Sequence, residues 1–309
     1  MNKKKQLLGV LAVGLLAAPV VAQAQYNYEL FVHPESDNIQ VFGINDRGDV
    51  IANVTDEGGG PFVYASKKGE FTDVTPAAGY ANTGGLGITD FGVMVGSVNV
   101  DEFSSSGFIR DKKGNFTIFD HPDAVSNTNP RGINDKGLIA GFRDDLNVFT
   151  IGFIYDPKSG TFTDIIPTSF FTIAQGINSK GEVVGSSNFD VANDPCAGVL
   201  GPSRRYGWLR ATDGTVTYFQ VNGSHSSARG INDEGSIAGF FIDPNDGFFK
   251  GFKAELDGSQ CQSVTVGPND ILHVPGSGDN FVQGISNSGV ISGGADFGSS
   301  STGYIATPQ

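Results

Sequence analysis

Between residues 128 and 168, apolar and polar positions alternate in four short runs separated by turn-forming residues. Residues 128–133 read as a first strand, followed by the tight turn Asn134-Asp135-Lys136-Gly137. Asn and Asp accept local backbone hydrogen bonds there, and Gly supplies the positive φ that closes such a turn. Residues 138–142 form a second strand, and a polar loop over 143–147 leads to a third around Gly152-Phe153-Ile154-Tyr155. The turn Pro157-Lys158-Ser159-Gly160 then gives a fourth strand over 161–166. Beyond the N-terminal segment no stretch shows the 3.6-residue period of an amphipathic helix.

The pattern recurs along the chain. A G-I-N-D-x-G-x-x-x-G-like unit opens at Gly43, Gly87, Gly132, Gly176, Gly230 and Gly284, at intervals of 44, 45, 44, 54 and 54 residues. One such unit cannot bury its own apolar face, so copies must stack, and four short strands in about 44 residues is the measure of a propeller blade. An aromatic recurs in the third strand (Phe62, Phe108, Phe153, Trp208, Phe252 and Tyr304), where it is expected to wedge between units as core. The sixth unit stops after its third strand, while residues 28–34 read like residues 116–122. The expected fold is therefore all-β: a six-bladed β-propeller of four-stranded antiparallel blades, forming a single domain over residues 25–309. The N-terminal strand, 27–32, would complete the last blade and remove the exposed sheet edges.

The units resemble the bacterial extracellular HAF repeat family, whose repeats carry an A-I-N-x-x-G-x-V-V-G-like stretch before a His-Ala-Phe strand. The match is best at Gly176-Ile177-Asn178-Ser179-Lys180-Gly181-Glu182-Val183-Val184-Gly185. Where the family has His-Ala-Phe, this chain has Gly-Phe, Gly-Trp, Gly-Tyr or Pro-Phe. The resemblance implies export and a propeller-like β fold. It brings no catalytic residues to carry over.

Residues 1–24 read as a secretory signal peptide: Lys3, Lys4 and Lys5, an apolar run over 7–21, then Ala22-Gln23-Ala24 as a small-x-small cleavage site. The protein is expected to be secreted or periplasmic, without a membrane anchor, and monomeric. The net charge is −13, and removing three lysines makes it more negative, which argues against nucleic acid as a partner. Neutral ligands or divalent cations suit such a chain better. The two cysteines, Cys196 and Cys261, lie in or beside segments that lengthen the last two intervals, which favours a bridge. Strand order places them nearer opposite faces, which counts against one.

In a stack of this kind the fourth-to-first and second-to-third connections emerge on one face, and the N-D-x-G turns on the other. Ligands are expected over the channel on the first face. All four histidines, His33, His121, His225 and His273, fall in fourth-to-first connections. Should the protein be a secreted hydrolase or lyase acting on a polysaccharide or small ester, His33, His121 and His273 would supply acid–base groups, with Arg131 and Arg229 as cationic partners. Each second-to-third loop carries an Asp: Asp56, Asp101, Asp144, Asp190, Asp243 and Asp296, several with a second acid nearby. Asp144, Asp145, Asp190, Asp194, Asp243 and Asp246 are candidate calcium ligands, since carboxylate oxygens are what calcium takes. Each Asp capping its own loop is the competing reading. No G-x-S-x-G elbow, H-E-x-x-H or C-x-x-C pair occurs. Three functions follow: a non-catalytic propeller binding a glycan or an extracellular protein, the secreted enzyme, and a calcium-binding structural protein.

Overall fold

The structure, a computed structural model, describes residues 26–33, 36, 38–54, 62–66, 70–75, 81–146, 149–165, 171–298 and 300–309. The proposed signal peptide and Asp56 lie outside them. Twenty-four strands, and no helix among the described residues, make an all-β, propeller-like arrangement. Strands β2(Ile39–Ile44), β3(Val50–Val54), β4(Phe62–Ala65) and β5(Phe71–Asp73) form one four-stranded sheet. β6(Ala81–Ile88), β7(Met94–Asn99), β8(Ser105–Arg110) and β9(Phe116–Phe119) form the next. The third repeat gives β10(Thr128–Ile133), β11(Ile139–Asp144), β12(Thr150–Asp156) and β13(Thr161–Ile165). The fourth gives β14(Phe171–Ile177), β15(Val183–Asn188), β16(Arg205–Arg210) and β17(Val216–Val221). These two units, eight strands in all, join through a single parallel pairing, Thr150 with Phe171, and a strand from the fifth repeat makes the sheet nine-stranded.

The ends meet as the sequence suggests. β1(Tyr26–Phe31) pairs antiparallel with β24(Ser301–Pro308), from Tyr26 opposite Pro308 to Phe31 opposite Gly303. With β22(Asn280–Ile285) and β23(Ile291–Asp296) they form a four-stranded sheet. The expectation of six separate four-stranded sheets needs correction at the fifth repeat, where β18(Ser226–Ile231), β19(Ile237–Ile242) and β20(Phe249–Ala254) stand as three strands. The strand that should follow, β21(Cys261–Val264), instead pairs parallel with β17 of the preceding repeat, Tyr218 opposite Cys261.

The cause lies in the two extra segments. The 189–204 insertion folds over the outer edge of its own repeat, burying Phe189 and Cys196 against Tyr206 and Tyr218. That brings Cys196 beside β21, and the Cys196–Cys261 disulfide forms with a Cα–Cα separation of 5.7 Å. Assigning the cysteines to opposite faces fails because the insertion runs down the side of the sheet.

The repeat motif has a packing explanation. The first strands β2, β6, β10, β14, β18 and β22 lie side by side around a common axis, with β22 against β2. They approach so closely that a Cβ on Gly132 would meet the Gln175 carbonyl at 2.8 Å and the Gly176 Cα at 3.2 Å, so this first glycine tolerates no side chain. The last glycine of the motif faces the third-strand aromatic: Gly141 pairs with Phe153, and a Cβ there would lie 2.5 Å from the Asn129 carbonyl. Phe108, Phe153, Trp208, Phe252 and Tyr304 are all fully buried, as expected of core wedges; the Phe62 side chain lies outside the described part.

The Asn-Asp pair does more than close its own turn. Asn45 Nδ2 donates to the Thr89 carbonyl, Asn134 to Asn178 and Asn178 to Asn232, each in the next repeat. The fourth motif residue accepts from the preceding repeat: Asp90 Oδ1 from the Asp46 N–H at 2.8 Å, and Asp135 Oδ1 from the Asp90 N–H at 2.9 Å. Asp46 Oδ1 in turn accepts from the Asn287 N–H at 2.6 Å, linking the sixth repeat to the first.

Candidate functional site

Every first strand carries a register shift immediately before its motif glycine, between Val41 and Gly43, Gly85 and Gly87, Pro130 and Gly132, Ala174 and Gly176, Ala228 and Gly230, and Val282 and Gly284. The residue skipped by the ladder is a β-bulge, which re-aims its side chain. Leu86, Arg131, Gln175, Arg229 and Gln283 accordingly line the central channel. The belt is apolar on the side of the first two repeats and polar or cationic on the other.

Arg131 and Arg229 are half-buried and both line the channel, and Arg229 also lines the pocket beside it. Arg131 lies over the Phe142 ring at 5.2 Å and Arg229 over Phe240 at 4.7 Å. The Nε of each is buried without a hydrogen-bond partner. Among the described residues no carboxylate makes an ion pair with either. Burial pushes the Arg131 guanidinium down to about 10. Burial, reinforced by repulsion from Arg131, pushes Arg229 down to about 9, so both stay charged at neutral pH.

Beside Arg229 the first face opens into a pocket of about 410 Å³ built by the fourth, fifth and sixth repeats. One wall is aromatic. Phe240, Phe249 and Phe281 contact one another with ring centroids 5.0 to 5.3 Å apart. Ser187, Asn188, Gln175 and Ser227 supply hydroxyl and amide groups, and Arg205 a second cation. His225 stands over Phe249 at 6.3 Å; burial, then Arg205 and Arg229, push it down to about 4, so its imidazole is neutral. Among the described residues no Asp or Glu lines the pocket.

The structure places the other three histidines in separate surroundings. His33 sets its edge on Phe71 at 4.9 Å. His121 Nδ1 accepts the Asp123 N–H, and its Nε2 lies 3.3 Å from Asp164, whose other oxygen is 2.7 Å from Arg143. Burial pushes His121 down, against an upward pull from Asp164. His273 Nδ1 is 2.8 Å from Asn280 Nδ2 and 3.5 Å from Lys250 Nζ. Arg131 and Arg229 both line the channel, whereas His33 contacts Phe71, His121 contacts Asp164 and His273 contacts Asn280. Sequence reasoning missed Gln175, Arg205 and the three phenylalanines, and left His225 out of the site. Alignment of the repeats on their glycines carries the one available signal: the preceding residue reads Phe42, Leu86, Arg131, Gln175, Arg229, Gln283.

The loop carboxylates accept N–H groups of their own loop, except Asp144, which reaches the connection that precedes its repeat. Asp144 accepts the N–H groups of Val125, Ser126 and Asn127 and the Ser126 hydroxyl, which hold its carboxyl far below the usual range against the opposing effect of burial. Asp145 accepts from Phe149, and Asp190 from Ala192 and Asn193. Asp194 accepts from Cys196 N–H and Tyr206 Oη–H, and Asp243 from Asn245. Asp246 accepts from Phe248 and pairs with Lys250 at 3.2 Å. Among the described residues no group of three or more His, Cys, Asp or Glu is arranged to hold a metal.

No family model and no curated protein matches the sequence. Solved structures do. The chain is similar to a structural-genomics target described as a candidate gluconolactonase, at 10% identity, 93% coverage of each chain and a TM-score of 0.53. It is similar to TolB from Acinetobacter baumannii at 9% identity, covering 88% of this chain and 55% of that one, with a TM-score of 0.50. A β-propeller domain of the Trilobed protease from Pyrococcus furiosus matches at 13% identity over 88% of this chain and 84% of that one, with a TM-score of 0.44. At such identities the likeness to the first two is one of fold and extends no further.

Proposed function

We propose that the chain is an exported, closed six-bladed propeller that binds rather than transforms its ligand, holding a small molecule or a terminal group of a glycan or extracellular protein at the channel mouth. The observation that carries this reading is the 410 Å³ pocket beside Arg229. Its size falls within the range of small-molecule sites, and an aromatic wall facing a few hydroxyl and amide groups is how such sites orient a ligand. The six first strands around one axis support a count of six blades, the fifth having its outer strand β21 paired to the fourth. The G-I-N-D units, common to all repeats, serve as scaffold, while the pocket lies where the repeats differ. A metal reading draws no support from the loop carboxylates, whose oxygens already accept local N–H groups.

The test is calorimetry of purified protein against a panel of neutral and acidic oligosaccharides and small aromatic compounds, repeated with Phe249→Ala and His121→Ala. Binding lost in Phe249→Ala and kept in His121→Ala is expected. Binding that survives Phe249→Ala and fails in His121→Ala would move the site elsewhere.

A further inference from the structure

The pocket's charge is at odds with the rest of the molecule. The chain carries a net charge of −13, yet the pocket holds Arg205, Arg229 and, among the described residues, no acid. The acids on the axis sit at its far end, where Asp46, Asp90, Asp135 and Asp233 face the opposite mouth. Burial and the neighbouring aspartates raise Asp135 above the usual carboxylate range. The axis thus runs from an acidic ring to a cationic pocket.

Arg229 is the group that needs explaining. A guanidinium whose Nε is buried normally has a carboxylate or carbonyl to accept from it. Here the Nε has no acceptor, the contact to Phe240 uses only the ring face, and a second cation in the same channel repels it. The sequence sets this up twice, with Arg at the bulge of β10 and again at that of β18.

Resting on the binding function above, we propose that the ligand is an organic carboxylate. Its charge sits on the Arg229 guanidinium and its flat apolar body lies against Phe240, Phe249 and Phe281. A carboxylate accepts two parallel charge-assisted N–H bonds from a guanidinium, which an amide with its single carbonyl oxygen cannot match. His225, neutral beside the pocket, presents a ring nitrogen to the ligand without adding a third charge. Arg205 at the pocket wall steers the anion inward.

The experiment compares matched pairs in a buffer free of phosphate and carboxylate: phenylacetate against phenylacetamide, 2-naphthoate against 2-naphthamide, and glucuronate against glucose. Calorimetry reads the affinity, and ligand-observed NMR checks weak cases. Each aromatic acid is expected to bind at least tenfold tighter than its amide, with the preference abolished in Arg229→Gln and the affinity of both reduced in Phe249→Ala. The acid–amide comparison is made on the wild-type protein, so it stands even if Arg229→Gln folds poorly. Equal affinity of acid and amide overturns the proposal. A neutral sugar that binds better than any acid, and is displaced by Phe249→Ala, overturns it while leaving the binding function intact. No binding by any member of the panel removes both.

Discussion

Replacing Arg229 with Met should stabilise the ligand-free protein. Met keeps most of the aliphatic stem and removes the charge. A fall in pKa from 12.5 to about 9 means that the charged form is disfavoured in the folded state; at about 1.4 kcal/mol per pH unit the ceiling is about 5 kcal/mol. Water in the lumen relaxes part of that, and the lost cation–π contact to Phe240, 4.7 Å away, gives back about 1–2 kcal/mol. A net gain of about 2 kcal/mol remains, in line with what replacing buried charge by apolar groups achieves elsewhere. In a chain of this size that raises Tm by roughly 4 °C. The sign also predicts a pH dependence. Because the folded pKa lies below the unfolded one, the penalty is complete at neutral pH and is relieved as pH rises past about 9, where the unfolded chain holds more protons. Urea unfolding of both proteins from pH 7 to pH 10.5 at low salt reads the effect, and the advantage of Arg229→Met should shrink toward the alkaline end. A variant less stable than wild type at pH 7, with a gap that does not vary with pH, would refute the reasoning, since it would mean that Arg229 is well satisfied in the unliganded protein.

The Cys196–Cys261 bridge spans 65 residues, for which chain entropy gives about 4 kcal/mol; calorimetry with and without reductant should show a large fall in Tm, and an unchanged Tm would make the bridge incidental. Gly141→Ala drives a methyl group against the Asn129 carbonyl and the Phe153 ring, so soluble expression should collapse or stability fall by about 4 kcal/mol or more; a near-normal melt would contradict the glycine–aromatic packing. Asp144→Ala should cost about 2 kcal/mol by unpairing the N–H groups of Val125, Ser126 and Asn127, while EDTA leaves the wild-type Tm unchanged; a fall in Tm with EDTA would reinstate calcium. Since Asp144 has a depressed folded pKa, its contribution is present above the ordinary carboxylate range and is lost as pH falls below it, which acid unfolding of the wild type and the Ala variant would show.

Much of the architecture was legible because each repeat carries its own turn chemistry. The likeness of residues 28–34 to residues 116–122 was enough to place β1 beside β24. The β17–β21 pairing was not legible, because hairpin logic joins consecutive strands and only tertiary packing of the 189–204 insertion displaces β21. The contacts of the histidines were not legible either. Sharing a type of connection does not bring side chains together, and each found a nearby partner: Phe71, Asp164 or Asn280. The channel-facing arginines were visible as cations but their direction was not, since strict alternation along a strand hides a bulge that turns one residue out of register.

The β1–β24 ladder also decides how the protein bears a load. Tyr26 lies opposite Pro308, and Gln309 Nε2 donates to Asn27 Oδ1, so both chain ends leave the fold at the same end of one antiparallel ladder. Pulling them apart strains the pairs one after another, from Tyr26 toward Phe31, instead of shearing all at once. The β1–β24 seam is then a clasp, weak against tension applied between Tyr26 and Gln309. Once β1 peels away, the long edge of β24 is bare and ready to accept a strand from another chain.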